Sequence, residues 1–350
     1  MTATKPDAQK MPPDLPPSVA MLQFLGGIRA ARSIYVAAEL GIADLLADSP
    51  KTIEELAEAT GTHGQSLYRV LRALAGFGIF AEDETGRFTL TPPAEFLRSD
   101  VPDSVRPSVS LFGQDWHWQV WENLFESVKT GEPAFDKLHG MQFFDYCNQN
   151  FEFANLSGQS KTSIAARASA ALLESYDFSS MSKVVDIAVM GGYGNTLIPL
   201  LKANPTMRGT LFDIQPVIEA AKPAVEAAGL SDRCELIVGH CLESVPSGGD
   251  AYILMFVVHN WDDERAIKIL KNCHAAMAEN GKVLLIEMIM PLGNEPFVGK
   301  LVDLESLLIT PGGRERTEAQ YHSLLEAAGF KVTKIIPTKT ANSIIEAVRA

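Results

Sequence analysis

The stretch KVVDIAVMGGYGNT, residues 183–196, decides the fold. A β-branched run, KVVDIAV, meets glycines at Gly191, Gly192 and Gly194, and a helical pattern opens at Asn195. Glycine between a strand and a helix permits a tight turn and a close backbone approach to a ligand. Taken alone, G-G-x-G serves equally as a plain strand–helix turn. The same rhythm then repeats: GTLFDI, a helix from Pro216, CELIVGH, DAYILMFVV, a helix from Asp262, KVLLIEMIM, a long helix and KVTKIIP. Such alternation predicts an α/β fold, a doubly wound, parallel, Rossmann-like sheet over residues 179–350, with its ligand at the carboxyl ends of the strands.

Upstream, residues 52–98 follow a different grammar. A helix opened by Thr52, a turn at Gly61–Gly64, a second helix to Leu74 and two short strands around Glu84–Gly86 spell a winged helix-turn-helix within residues 17–104. Such a unit can read DNA, but its second helix carries only Arg69 and Arg72. A dimerisation or substrate-lid module is the preferred reading. Residues 105–178 read as a helical linker and acceptor lid. Their aromatics, in WHWQVWENLFESV and FFDYCNQNFEFA, are mostly core by helical spacing. Residues 1–16, polar and proline-rich, read as a disordered tail without the apolar segment of a signal peptide.

Composition narrows the function. The 350 residues are long enough for two cores, and a net charge of −13 repels nucleic acid and anionic membranes alike. No apolar run approaches a membrane span. The four cysteines, Cys147, Cys234, Cys241 and Cys273, have neither CxxC pairing nor zinc-like spacing with histidine. Buried thiols in a reducing cytoplasm are expected, with no metal.

Three strand ends carry the chemistry-bearing residues. The Asp186–Gly194 loop is the first. Asp213 ends the next strand, where a carboxylate can accept hydrogen bonds from two ribose hydroxyls; the competing role is a helix cap ahead of Pro216. His259 lies just past the strand of DAYILMFVVHNWDDE, placed for a general base or, equally from this stretch, for a structural role with Asp262 capping the helix. Glu287 and Glu315, from two further segments, are positioned to converge on it. A carboxylate bonded to one imidazole nitrogen fixes the tautomer and raises the basicity of the other.

These residues, with GTLFDIQPVIEAA, ESVPSGGDAYIL, VVHNWDDERAIKILKNCHAAM and PGGRERTEAQYHSLLEAAGF in that order, give the chain its likeness. From about Leu22 to Val348 it resembles the S-adenosylmethionine-dependent small-molecule O-methyltransferases, the group of the plant caffeate and hydroxyindole enzymes. The resemblance implies that the winged helix builds an intertwined homodimer. It implies that His259 takes a hydroxyl proton from a small-molecule acceptor, flanked by Glu287 and Glu315. It also implies that Asp186, Gly191, Gly192, Gly194, Asp213, Gly239, His240 and Met255 lie along the cofactor.

Against that family pattern, Ala188–Met190 lengthen the glycine loop by two residues and remove its first glycine. His240 stands where an acid meets the adenine amine, and Met255 or its neighbour replaces a lysine. On the acceptor side the resemblance points to Trp116 and Phe144, and to Gln159, Lys161 and Glu305 in place of an aromatic clamp. A Lys and a Glu there favour a small polar acceptor, with Lys161 pairing an acceptor carboxylate or standing as a solvated helix position. Two other functions follow from the departures: S-methylation of a small thioether or thiol acid, which needs no base, and a non-methylating hydroxylase or pericyclase.

Overall fold

The computed structural model describes residues 16–101, 103–189 and 193–350; on the helix Phe151–Ser175 the side chains at 151, 152, 154–157, 159, 161 and 163 are excepted. The chain divides into two units, Met1–Asp115 and Trp116–Ala350.

The first unit begins with the helix Pro17–Glu39 and contains strands β1 (Lys51–Thr52), β2 (Phe80–Glu82) and β3 (Arg87–Leu90). They pair antiparallel in the order β1-β3-β2. Thr52 opens the helix Ile53–Thr60 through a capping box, accepting the Glu55 N–H while Glu55 accepts its own. Helix Gly64–Gly76 follows, and Leu56, Leu71, Leu74, Phe80 and Phe88 close the core between helices and wing. The first helix, in contrast, leaves Met21, Leu22, Phe24, Leu25 and Ile28 exposed. An exposed apolar row of that size is the kind of face that marks an interaction site.

The second unit is built on a seven-stranded sheet of order β6-β5-β4-β7-β8-β10-β9. Its strands are β4 (Lys183–Ile187), β5 (Arg208–Asp213), β6 (Cys234–Val238), β7 (Ala251–Met255), β8 (Lys282–Met288), β9 (Phe330–Pro337) and β10 (Asn342–Arg349). β4 to β8 run parallel. Their residues are apolar on both faces, as helices covering both sides of the sheet demand.

The sheet is not wholly parallel. β10, unforeseen in the sequence, inserts antiparallel between β8 and β9. Its Ile344, Ile345 and Ala347 are buried, as suits an interior strand of the sheet. The helices open slightly off the expected residues, at Leu197, Gln215 and Asp263, the last capped by Asp262 through the Arg265 N–H. Strand order reverses between β4 and β7, so the crevice for a ligand opens at their carboxyl ends.

Candidate active site

Residues from the ends of β4, β5 and β6 line a cavity of about 120 Å³. Ala188 and Val189 come from β4, Phe212, Asp213 and Ile214 from β5, and Gly239, His240 and Cys241 from β6, with Phe144 and Trp261 beside them. Asp213 is buried and does not cap a helix: Ile214 occupies the N-cap position, and Asp213 Oδ1 accepts the Ile214 N–H at 2.7 Å. Gly239 is required by packing, since a Cβ there would lie 2.3 Å from the Phe212 ring. His240 Nδ1 accepts the Leu242 N–H at 3.2 Å, and its ring meets Trp261 edge-on.

Asp186 is buried at the end of β4, and its Oδ2 has no hydrogen-bond partner among the described residues. Burial pushes its carboxyl up to about 7. Gly191, Gly192 and Met190 lie outside the described residues, and with them the expected two-residue lengthening of the loop. Gly194, in the left-handed region at φ +80°, approaches Ile198 closely enough that a Cβ would sit 2.9 Å from it. Met255 ends β7 with its sulfur near the hydroxyls of Ser169 and Thr196. A carboxylate, an apolar slot and a buried unsatisfied carboxylate oxygen suit a ribose, a flat base and a cationic group.

The second cluster gathers around His259, in the 3-10 turn Val258–Asn260 after β7. Its Nδ1 donates to Glu315 Oε1 at 2.7 Å, and Glu287 Oε2 stands 3.8 Å from the same nitrogen. The two acids do different work. Glu287 Oε1 accepts the N–H groups of Val257 and Val258, at 3.1 and 2.8 Å, so it holds the backbone of the turn. Burial raises its carboxyl well above the usual range, offset in part by the His259 imidazole. Glu315 is in turn anchored by its own N–H, which donates to Asp303 Oδ1 at 2.8 Å.

Arg316, fully buried, donates to the carbonyls of Val258 and Trp261 and pairs with Asp263. Sequence reading missed this residue, although a charged group amid PGGRERT is the signal that marked it. Phe256, two residues before the turn, takes φ +57°, and its ring stacks beside His259. Atoms of His259, Glu287 and Glu315 lie within 4.8 Å of one another, a spacing that also admits a metal ion. Glu287 Oε1 is nevertheless occupied by two N–H groups and Nδ1 by Glu315. The trio therefore has the geometry of a base with two dissimilar carboxylates.

The remaining acceptor candidates separate. Trp116 joins an aromatic cluster with Phe135, Phe143 and Phe153, while Phe144 lies tilted against Trp261 and lines the strand-end cavity. Both oxygens of Glu305 are engaged, by His117 and by the Trp121 N–H at 2.8 Å each. The side chains of Gln159 and Lys161 lie outside the described residues.

The sheet order and the strand-end cavity define a Rossmann-like methyltransferase domain, coupled in one chain to a helical domain with an exposed apolar face. The model of the O-methyltransferase domain matches residues 121–331, and that of the O-methyltransferase dimerisation domain matches residues 22–100. The chain belongs to this O-methyltransferase family and is an S-adenosylmethionine-dependent methyltransferase of small-molecule biosynthesis. It is 41% identical to phenazine O-methyltransferase PhzM of Lysobacter antibioticus over 95% of this chain and 96% of that one. It is 36% identical to the mitomycin biosynthesis 6-O-methyltransferase of Streptomyces lavendulae, over 90% and 89%. CalO1, a methyltransferase in calicheamicin biosynthesis solved in its S-adenosylhomocysteine-bound form, superposes with a TM-score of 0.84 at 31% identity, covering 96% of this chain and all of that one. N-methyltransferases stand among the same relatives. The exposed apolar row lies on a helix that the dimerisation-domain match includes from residue 22, and no helix among the described residues is long and apolar enough to cross a membrane.

Proposed function

We propose that this chain methylates a hydroxyl group on a flat aromatic acceptor, with His259 as the general base. The observation that carries it is the 2.7 Å bond from His259 Nδ1 to Glu315. A proton held on Nδ1 leaves the lone pair on Nε2, the nitrogen turned away from the carboxylates. As Nε2 takes the hydroxyl proton, the imidazolium that forms is stabilised by Glu315 directly and by Glu287 across 3.8 Å. Glu287 and Arg316 meanwhile hold the turn from its N–H and C=O sides, so the base reaches the acceptor without reorganising.

Bound S-adenosylmethionine supplies an electrophilic methyl group. Asp213 would hold its ribose, the slot between Ile214 and Trp261 its base, and Asp186 with the Gly191–Gly194 loop its amino-acid end. Relatives named for phenazine and mitomycin substrates support a flat acceptor. The small polar acceptor expected from the sequence loses one support, because the Glu305 carboxylate is taken up by His117 and Trp121.

His259→Gln tests the reading. With hydroxylated phenazines and naphthoates as acceptors, turnover is expected to fall by roughly 10²–10⁴-fold while S-adenosylhomocysteine binding is kept. Unchanged turnover would refute base catalysis by His259.

A further inference from the structure

Glu315, the acid bonded to the imidazole, lies on a segment between the helices Gly299–Ile309 and Glu318–Ala327 that belongs to neither. Three consecutive residues tie that segment to three different parts of the fold. The Arg314 N–H donates to the His259 carbonyl at 2.8 Å, the Glu315 N–H donates to Asp303 Oδ1 at 2.8 Å, and the Arg316 carbonyl accepts the Met290 N–H at 2.9 Å. Arg314 and Arg316 both reach Asp263 with their side chains, while Glu315 turns to the imidazole. The segment lies so close on the turn that a Cβ at Gly313 would meet Thr310 Oγ1 at 2.0 Å and the His259 carbonyl oxygen at 2.9 Å. The first and third ties join backbone to backbone and do not depend on side-chain identity. The second depends on one side chain, half-buried on the helix Gly299–Ile309.

We propose that Asp303 is a positioning residue for the base: by holding the Glu315 peptide, it keeps the Glu315 carboxylate on His259 Nδ1. The inference rests on the reading of His259 as the base. Glu315 is buried, so loss of Asp303 leaves its N–H without this acceptor in a place that water reaches poorly. The charged groups that face the imidazole are Glu315 from this segment and Glu287 from β8. The Arg316 guanidinium, behind the turn, is taken up by Asp263 and by the carbonyls of Val258 and Trp261. A Glu315 side chain free to drift therefore removes the nearer of the two charges that favour the imidazolium, and nothing adjacent replaces it.

Asp303→Ala and Asp303→Asn test this. Asparagine keeps an oxygen for the Glu315 N–H and drops the charge, so it separates the hydrogen bond from the charge of Asp303. With a hydroxylated phenazine as acceptor, Asp303→Ala is expected to lower kcat about tenfold or more, with KM and S-adenosylhomocysteine affinity kept within about threefold. The acidic limb of its pH profile is expected to move to lower pH by about half a unit or more, whereas Asp303→Asn stays near the native enzyme in both respects. The titration of the His259 imidazole by NMR on histidine-labelled protein, its signal identified by its loss in His259→Gln, is expected to show the same shift without any acceptor. Asp303→Glu, which keeps the charge but displaces the oxygen, is expected to lose kcat as alanine does, and carries the test should the alanine protein fail to fold. Native kcat and an unmoved titration in Asp303→Ala overturn the proposal, as does a loss in Asp303→Asn equal to that in Asp303→Ala. In either case the base reading stands if His259→Gln abolishes turnover. If His259→Gln leaves turnover intact, the base reading falls, and the proposal with it.

Discussion

Two glutamates that look equivalent in sequence have different duties once folded. Glu315 bonds the imidazole itself, whereas Glu287 bonds the backbone that carries it. Glutamine at 315 keeps an acceptor for Nδ1–H but removes the charge that stabilises the imidazolium, so kcat is expected to fall about a hundredfold. Glutamine at 287 still accepts both N–H groups, and the loss is expected to stay below about tenfold. Steady-state kinetics on the two variants decides; an equal or larger loss at 287 contradicts the division of labour. Asp186 makes a separate prediction. Its folded carboxyl lies at about 7 against an ordinary 3.8. A raised folded value means that its contribution to stability is fully present below about pH 4 and is lost as pH rises through 7, by about 4 kcal/mol at most. Asp186→Asn is therefore expected to leave the melting temperature of the cofactor-free protein nearly unchanged at about pH 3.5 and to raise it by several degrees at about pH 8. Equal effects at the two pH values would refute burial as the cause.

At the scale of the element, the turn Val258–Asn260 is positioned by groups distant in sequence. Glu287 comes from β8 and Arg316 from the segment after the helix Gly299–Ile309. Arg316→Met preserves bulk but strands two buried carbonyls, and is expected to cost about 3 kcal/mol in urea unfolding, together with a fall in kcat. A stability loss without any effect on kcat would show that the turn does not depend on this clamp. Local rules made parts of such elements legible beforehand. Thr52 and Asp262 open their helices because a side-chain oxygen satisfies an otherwise unpaired N–H. Legibility ended where partners are remote. The bond from His117 to Glu305 spans 188 residues, and β10 pairs with β8 across a gap that no turn signal bridges.

For the whole molecule, the exposed row on the helix Pro17–Glu39 is the feature one chain cannot satisfy. Leu22→Glu with Phe24→Glu places charge on that face, away from the cores of both units, and is expected to convert a dimer into a folded monomer by sedimentation. A dimer that persists at micromolar concentration would move the interface elsewhere.

Sequence by itself determined the change from a helical N-terminal part to a strand–helix rhythm and placed His259, Glu287 and Asp213 at strand ends and Glu315 in a loop, although it drew a separate helical segment at 105–178 where the chain divides between Asp115 and Trp116. Those follow from periodicity and from the chemistry of single side chains, which are local properties. Only the tertiary structure decided that β10 turns the sheet mixed, that Glu287 supports a backbone while Glu315 bonds the ring, and that Glu305 is already engaged. It also decided what became of DIAVMGGYGNT: among the described residues Asp186 is left with a buried oxygen without a partner, and Val189 borders the strand-end cavity. Hydrogen-bond partnership and desolvation depend on which distant segments pack together, and no single stretch of the chain contains that information.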